Sequence, residues 1–253
     1  MPDSPNSFCP IIGVHSNTAM INTRLEHLYK EFYGDKRKGI VACGVVDEEV
    51  YLKTTPKIVF ILREPHTDET GFTIPKGLRR QVEKGLTGKP LEKGWMYTWR
   101  QAGVWAYAIL NGFNSYRELR KDICVAKGLQ AIGMTNLKKT GGGSSSNLNK
   151  IRESAVRELN LWRNELSVMR PDLIICGNTY HEVVDSLGLR KNLLLKYEKT
   201  PYYYSEWYFG DKLAIILHFW HPNNRRNRDK NLIILKKLIS QLGERGYDLF
   251  LNN

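Results

Sequence analysis

The sequence predicts an α/β fold built on a mainly parallel sheet with helices on both faces. Four short runs rich in Val, Ile and Leu, at 58–62, 131–136, 173–176 and 213–218, are nearly continuous rather than alternating, as strands buried on both faces are. Segments of helical period lie between them, the alternation that covers a parallel sheet on both sides. The chain has 253 residues, 42% hydrophobic and 25% charged, which suits one sizeable packed domain and excludes a disordered or fibrous chain.

In order, residues 17–33 read as an N-terminal helix within a segment, 1–56, that extends a single domain spanning 1–253. The first strand, 58–62, runs into Arg63-Glu64-Pro65-His66. A helix at 98–112 carries Val104 and Ala108 at core spacing, and that spacing makes Trp95, Trp99, Trp105 and Tyr107 core residues before base-stacking ones. The second strand ends at Asn136 and is followed by Leu137-Lys138-Lys139 and a Gly/Ser run, Gly141 to Ser146. The longest helix, 147–169, is stopped by Pro171, because proline disfavours helical geometry just before it. The third strand leads to a helix at 179–187 that ends on Gly188. The fourth leads to His218-Phe219-Trp220-His221-Pro222, then Asn223, Asn224, Arg225, Arg226 and Arg228, and a basic amphipathic helix at 229–242.

In open parallel sheets, ligands bind at the carboxyl ends of the strands, so the clusters around Glu64, Asn136 and His221 are predicted to converge on one crevice. The charge points to the ligand. With 38 Lys plus Arg against 26 Asp plus Glu, the formal net charge is +12, an excess that suits a polyanion, most often nucleic acid. The start of the chain shows no basic stretch leading into a long apolar one, and no apolar run spans a bilayer, so the expectation is a cytoplasmic protein with no membrane partner. Cys9, Cys43, Cys124 and Cys176 form no C-x-x-C pair, which argues for reduced thiols and against a zinc ribbon or disulfide framework.

Each cluster has a chemical reading. Glu64, held at a strand mouth by Pro65, can orient and deprotonate a water or offset developing positive charge; the alternative is a salt bridge with Arg63 or another nearby base. His221 can donate a hydrogen bond to charge developing on a leaving group. Asn136 both donates and accepts, so it can read the edge of a nucleobase, or it can simply cap a turn. Arg225, Arg226 and Arg228, with Lys138 and Lys139, are placed to grip phosphates. The Gly/Ser run is either a phosphate cradle at a helix N-terminus or a flexible linker, and it lacks the Gly-Lys-Ser/Thr ending of a P-loop. Pro171-Asp172 could open a restriction-type nuclease motif, but no Asp/Glu-x-Lys triplet follows anywhere. His218 and His221 are the only close pair of histidines, and neither sits in a metal-ligand pattern, so no metal site, cofactor or obligate protein partner is inferred.

The order of these clusters resembles the uracil-DNA glycosylase superfamily. Leu62-Arg63-Glu64-Pro65-His66 looks like its first motif, Thr135-Asn136-Leu137-Lys138-Lys139 its middle strand end, Pro171 to Gly177 its third strand and turn, and His221-Pro222 its last motif. The resemblance extends from about Lys57 to the C-terminal helix. It implies a three-layer αβα sandwich with a short, mainly parallel sheet, and hydrolysis of the N-glycosidic bond of a base flipped out of DNA. By position, Glu64 is similar to the water-activating residue, Asn136 to the base-reading Asn, and His221 to the His that stabilises the departing base. Phe72 resembles the aromatic on which the base stacks, and Arg225 and Arg226 lie where relatives enter the minor groove. His66 stands where the uracil-specific branch has a tyrosine that excludes 5-substituted pyrimidines. The difference admits a larger modified pyrimidine, including the modified cytosines that some members attack in phage defence. A DNA-binding module that kept the fold and lost the chemistry is the non-enzymatic alternative.

Overall fold

The computed structural model describes residues 20–34, 38–67, 73–94, 96–142, 146–224 and 227–247. The elements are α1 (Ile21–Tyr33), β1 (Gly44–Val45), α2 (Glu48–Lys53), β2 (Ile58–Leu62), α3 (Ile74–Leu86), α4 (Met96–Asn111), α5 (Tyr116–Leu119), α6 (Asp122–Gln130), β3 (Ile132–Asn136), α7 (Leu148–Arg157), α8 (Leu159–Met169), β4 (Leu173–Gly177), α9 (Tyr180–Leu187), β5 (Asn192–Tyr197), β6 (Thr200–Phe209), β7 (Lys212–Phe219) and α10 (Arg228–Glu244).

A seven-stranded sheet runs in the order β1-β3-β2-β4-β7-β6-β5. Its centre, β3-β2-β4-β7, is parallel, and these are the four strands read from the sequence. Successive residues of each central strand feed opposite cores, as the pleat requires. Ile58, Phe60 and Leu62 face the core built with α3, α4, α6 and α10, while Val59 and Ile61 face the one built with α1, α7, α8 and α9. That alternation makes the three-layer αβα sandwich.

The edges extend the prediction. The β5–β6 hairpin and the β6–β7 pairing are antiparallel, and β6 is a Tyr-rich strand joined to β7 by a Gly210-Asp211 turn with Gly210 at φ 62°. The segment before residue 56 is more than a helical extension, because β1 pairs antiparallel with β3 at the other edge. The Asn22 side chain completes that edge, donating to Val45 O at 2.9 Å and accepting from Val45 N at 3.0 Å.

The helix expected at 147–169 is two helices, hinged at Glu158. Apolar periodicity runs straight through the hinge, and its cause is a side chain. The Trp162 indole N–H donates to Ala155 O at 2.9 Å, taking an acceptor that an unbroken helix would give to the backbone N–H of Leu159. Among the described residues no helix is long and apolar enough to cross a membrane, and Cys43, Cys124 and Cys176 are free thiols.

Candidate active site

Parallel pairing continues past the ends of β2 and β3, with Leu137 N donating to Leu62 O and Lys138 N to Arg63 O, both at 2.9 Å. These bonds lock the two strand mouths side by side. A cavity of about 370 Å³ opens there, within the range of small-molecule sites. Its inner wall is Leu62 from β2, Glu64 and Pro65 just past the end of that strand, Asn136 from β3 and His221 after β7; His66 and Thr67 stand at its rim. The predicted convergence of Glu64, His66, Asn136 and His221 is therefore present.

Glu64 is nearly buried, its side chain 6% exposed, and its Oε2 accepts from Lys138 Nζ at 2.7 Å. The salt-bridge alternative thus occurs, with Lys138 rather than Arg63. Lys138 also donates to Gly141 O at 2.8 Å, which fixes its ammonium, while Oε1 of Glu64 makes no hydrogen bond among the described residues. Gly142 N donates to Pro65 O at 2.9 Å and brings its Cα against the Glu64 carboxylate, where any Cβ would overlap it. The described part of the Gly/Ser run thus packs on a catalytic candidate. A phosphate cradle at α7 is also disfavoured, because the Asn147 side chain already accepts from Asn149 N at 3.1 Å and Lys150 N at 3.2 Å. Gly143, Ser144 and Ser145 lie outside the described residues.

His221 Nδ1 accepts from Asn223 N at 3.1 Å, so the neutral imidazole carries its proton on Nε2. Burial, reinforced by the Arg63 guanidinium and then His66, pushes its pKa down to about 4. The ring is a neutral hydrogen-bond donor at pH 7. His218 is also lowered to about 4, by burial and then His181, but it sits among Tyr180, Tyr202 and Tyr203 and does not line the cavity.

Asn136 is 2% exposed. Its Nδ2 donates to Cys43 Sγ at 3.6 Å, which commits one N–H to a weak acceptor. Behind it runs a buried polar chain. Cys43 N donates to Tyr29 OH at 3.1 Å, and Tyr29 OH donates to Glu165 Oε1. Glu165 Oε2 accepts from Thr135 Oγ1 and from Lys139 Nζ, each at 2.6 Å. Burial pushes both the Tyr29 phenol and the Cys43 thiol up.

Lys139 is therefore a correction to the sequence reading. It is wholly buried and paired with Glu165, on the opposite face of the sheet from Lys138, so it cannot grip DNA. Arg228 begins α10 half-buried and lines neither cavity wall. Phe72, Arg225 and Arg226 lie outside the described residues, as does Trp95. Asp172 is far from the cavity, at the amino end of β4, where it accepts from Lys57 N at 2.6 Å and pairs with Lys212 at 2.8 Å. Among the described residues no group of three His, Cys, Asp or Glu side chains could hold a metal ion.

The cavity's outer wall was not foreseen. It consists of Ile74, Gly77, Arg80 and Gln81 from α3, Glu92, and Thr98 and Trp99 from α4. Gln81 Oε1 accepts from Glu92 N at 3.0 Å, which turns its amino group away from that backbone. The signal for α3 was present in Thr73-Ile74-Pro75, an N-cap threonine followed by proline in the first turn, with Thr73 Oγ1 accepting from Lys76 N at 3.3 Å. Trp99 lines the cavity, whereas Trp105 is wholly buried between Phe60 and Phe219.

No model of a known protein family matches the chain, and no curated protein sequence matches it.

Proposed function

We propose that the protein is a DNA glycosylase that hydrolyses the N-glycosidic bond of a flipped-out non-canonical pyrimidine, uracil or a 5-modified cytosine, and leaves an abasic site. The observation that carries this reading is one cavity in which a carboxylate with an uncommitted oxygen, a buried amide and a neutral imidazole donor meet. The basic net charge and the motif order, similar to the uracil-DNA glycosylase superfamily, support the same chemistry.

In this mechanism the base enters the cavity and Asn136 hydrogen-bonds its edge. As the glycosidic bond lengthens, its electron pair goes to the base and oxocarbenium character grows on the sugar. The Nε2–H of His221 stabilises the anionic base, and the Glu64 carboxylate offsets the positive sugar. Water adds to C1′ and passes its proton to Oε1 of Glu64, with Lys138 holding the other oxygen in place.

One feature favours a base larger than uracil: His66, at the position where the resemblance places a tyrosine in the uracil-specific branch, stands exposed at the rim of the cavity. A 5-modified cytosine, such as those of phage DNA, is a base of this kind, and the assay below separates it from uracil.

The test is an excision assay on oligonucleotides containing uracil, 5-hydroxymethylcytosine or its glucosylated form. An abasic product is expected from at least one, and Glu64→Gln is expected to lower its rate by about 10²- to 10⁴-fold with DNA binding retained. Cleavage of uracil alone would overturn the larger-base reading. DNA binding without an abasic product on any substrate would identify an inactive module instead.

A further inference from the structure

A second cavity, of about 460 Å³, lies at the carboxyl ends of β4 and β7 and takes no part in the chemistry above. The two cavities flank a single peptide: Trp220 lines the second and His221 the first. They also share a partition, since Arg63, next to Glu64, donates through Nε to Asn178 O at 3.3 Å, and Asn178 lines the second cavity.

The walls of this second cavity are aromatic rings and amides. Trp220 Nε1 donates to Tyr202 OH at 2.9 Å, which fixes both rings. Tyr197 adds a third ring, already approached by the ammoniums of Lys230 and Lys237, 5.5 and 4.7 Å from its centroid. The side-chain amides of Asn178 and Asn227 make no hydrogen bonds among the described residues. Among the described lining residues Lys230 is the cation, and it donates to both oxygens of Glu198, at 2.7 and 2.8 Å. A flat, neutral, hydrogen-bonding ligand fits these walls.

We propose that this second cavity receives the nucleobase next to the flipped one in the same DNA strand, stacked on the Trp220 indole and hydrogen-bonded by Asn178 and Asn227. Every base has a π-face, and an amide both donates and accepts, so such a site accepts any neighbour with modest preference. The proposal rests on the nucleic-acid reading of the first cavity. It adds a second grip on the strand, formed by bases rather than by charge.

Asn178 and Asn227 both have positive φ, 57° and 52°, so glycine can replace each without backbone strain. The double variant Asn178→Gly, Asn227→Gly is titrated with oligo(dT) and with the same sugar-phosphate backbone lacking bases. Expected is about tenfold weaker binding to oligo(dT) and unchanged binding to the base-free backbone. Photo-cross-linking of the wild-type protein to a 5-iododeoxyuridine oligonucleotide is expected to leave an adduct on Trp220. Equal loss for both probes, or wild-type binding with no adduct in this cavity, overturns the proposal while excision by the first cavity stands. Failure of the wild-type protein to bind oligo(dT) likewise overturns the proposal, and the excision assay then decides the reading of the first cavity by itself.

Discussion

Two adjacent lysines at the end of β3 make the same bond and do opposite things. Lys138 meets Glu64 at 2.7 Å on the wall of the cavity, and Lys139 meets Glu165 at 2.6 Å beneath the sheet with neither side chain exposed. Consecutive residues of an extended chain point to opposite faces, so a one-residue step separates the site from the core. Glu165 has both oxygens taken, by Tyr29 on one side and by Thr135 and Lys139 on the other. Glu64 has one oxygen held and one uncommitted. A closed pair supports structure, and a pair with an open oxygen can do chemistry.

The sharpest way to break this comparison is to remove each lysine in turn. Lys139→Met leaves Glu165 as an uncompensated buried charge and is expected to cost about 3–5 kcal/mol in urea denaturation, with most of the loss recovered when Glu165→Gln is added. Lys138→Met leaves Glu64 beside a cavity that admits water and is expected to change excision more than stability. Equal stability losses in the two single variants would show that the pairs do not differ in kind.

The positive charge shows what the sequence could and could not disclose. The excess of +12 pointed to a polyanion, and the adjoining lysines looked like one patch. Linear order cannot reveal that Glu165, in a helix joined to β3 by a long connection, reaches back under Lys139. The central strands were legible because continuous apolar runs have few other uses, and their ends located Glu64, Asn136 and His221. The α7–α8 hinge was not, because its cause is the contact of Trp162 with Ala155, and the periodicity around it is unbroken. The outer wall of the cavity escaped for a related reason. Gln81 and Thr98 sit at ordinary helical spacing, and only packing of α3 and α4 over the strand mouths turns them inward.

The contrast between core and cavity recurs in two histidines, His218 within the aromatic cluster and His221 on the cavity wall. Both have folded pKa values of about 4 against an ordinary 6.5, so each is neutral in the folded protein where the unfolded chain would be protonated. The unfolded state therefore binds more protons in that window, and stability is lost as pH falls from about 6.5 to about 4. The slope is at most about 1.4 kcal/mol per pH unit for each histidine. His218→Phe removes a buried Nδ1 that has no hydrogen-bond partner, and is expected to flatten the acid loss while leaving excision unchanged. His221→Ala should lower excision by about 10²- to 10³-fold at pH 7. Unchanged turnover in His221→Ala would remove the imidazole from the mechanism.

The smallest change separates the two roles most finely. Gly142 lies against the Glu64 carboxylate, and its backbone N–H is tied to Pro65 O at 2.9 Å, so the loop cannot retreat without losing that bond. An alanine Cβ would occupy the carboxylate's place, and either Glu64 turns away from Lys138 or the loop shifts. Overpacking of this kind costs about 1–3 kcal/mol, less than breaking the buried pair. Its effect on the chemistry should exceed its effect on the fold, because a displaced carboxylate no longer faces the sugar with its open oxygen. Gly142→Ala is expected to lower excision at least tenfold while its denaturation midpoint stays closer to wild type than that of Lys139→Met. Full activity in a Gly142→Ala protein whose crystal structure shows Glu64 turned away from Lys138 would mean that the position of Glu64 is immaterial to turnover, and the carboxylate would then belong with Glu165 as a structural group.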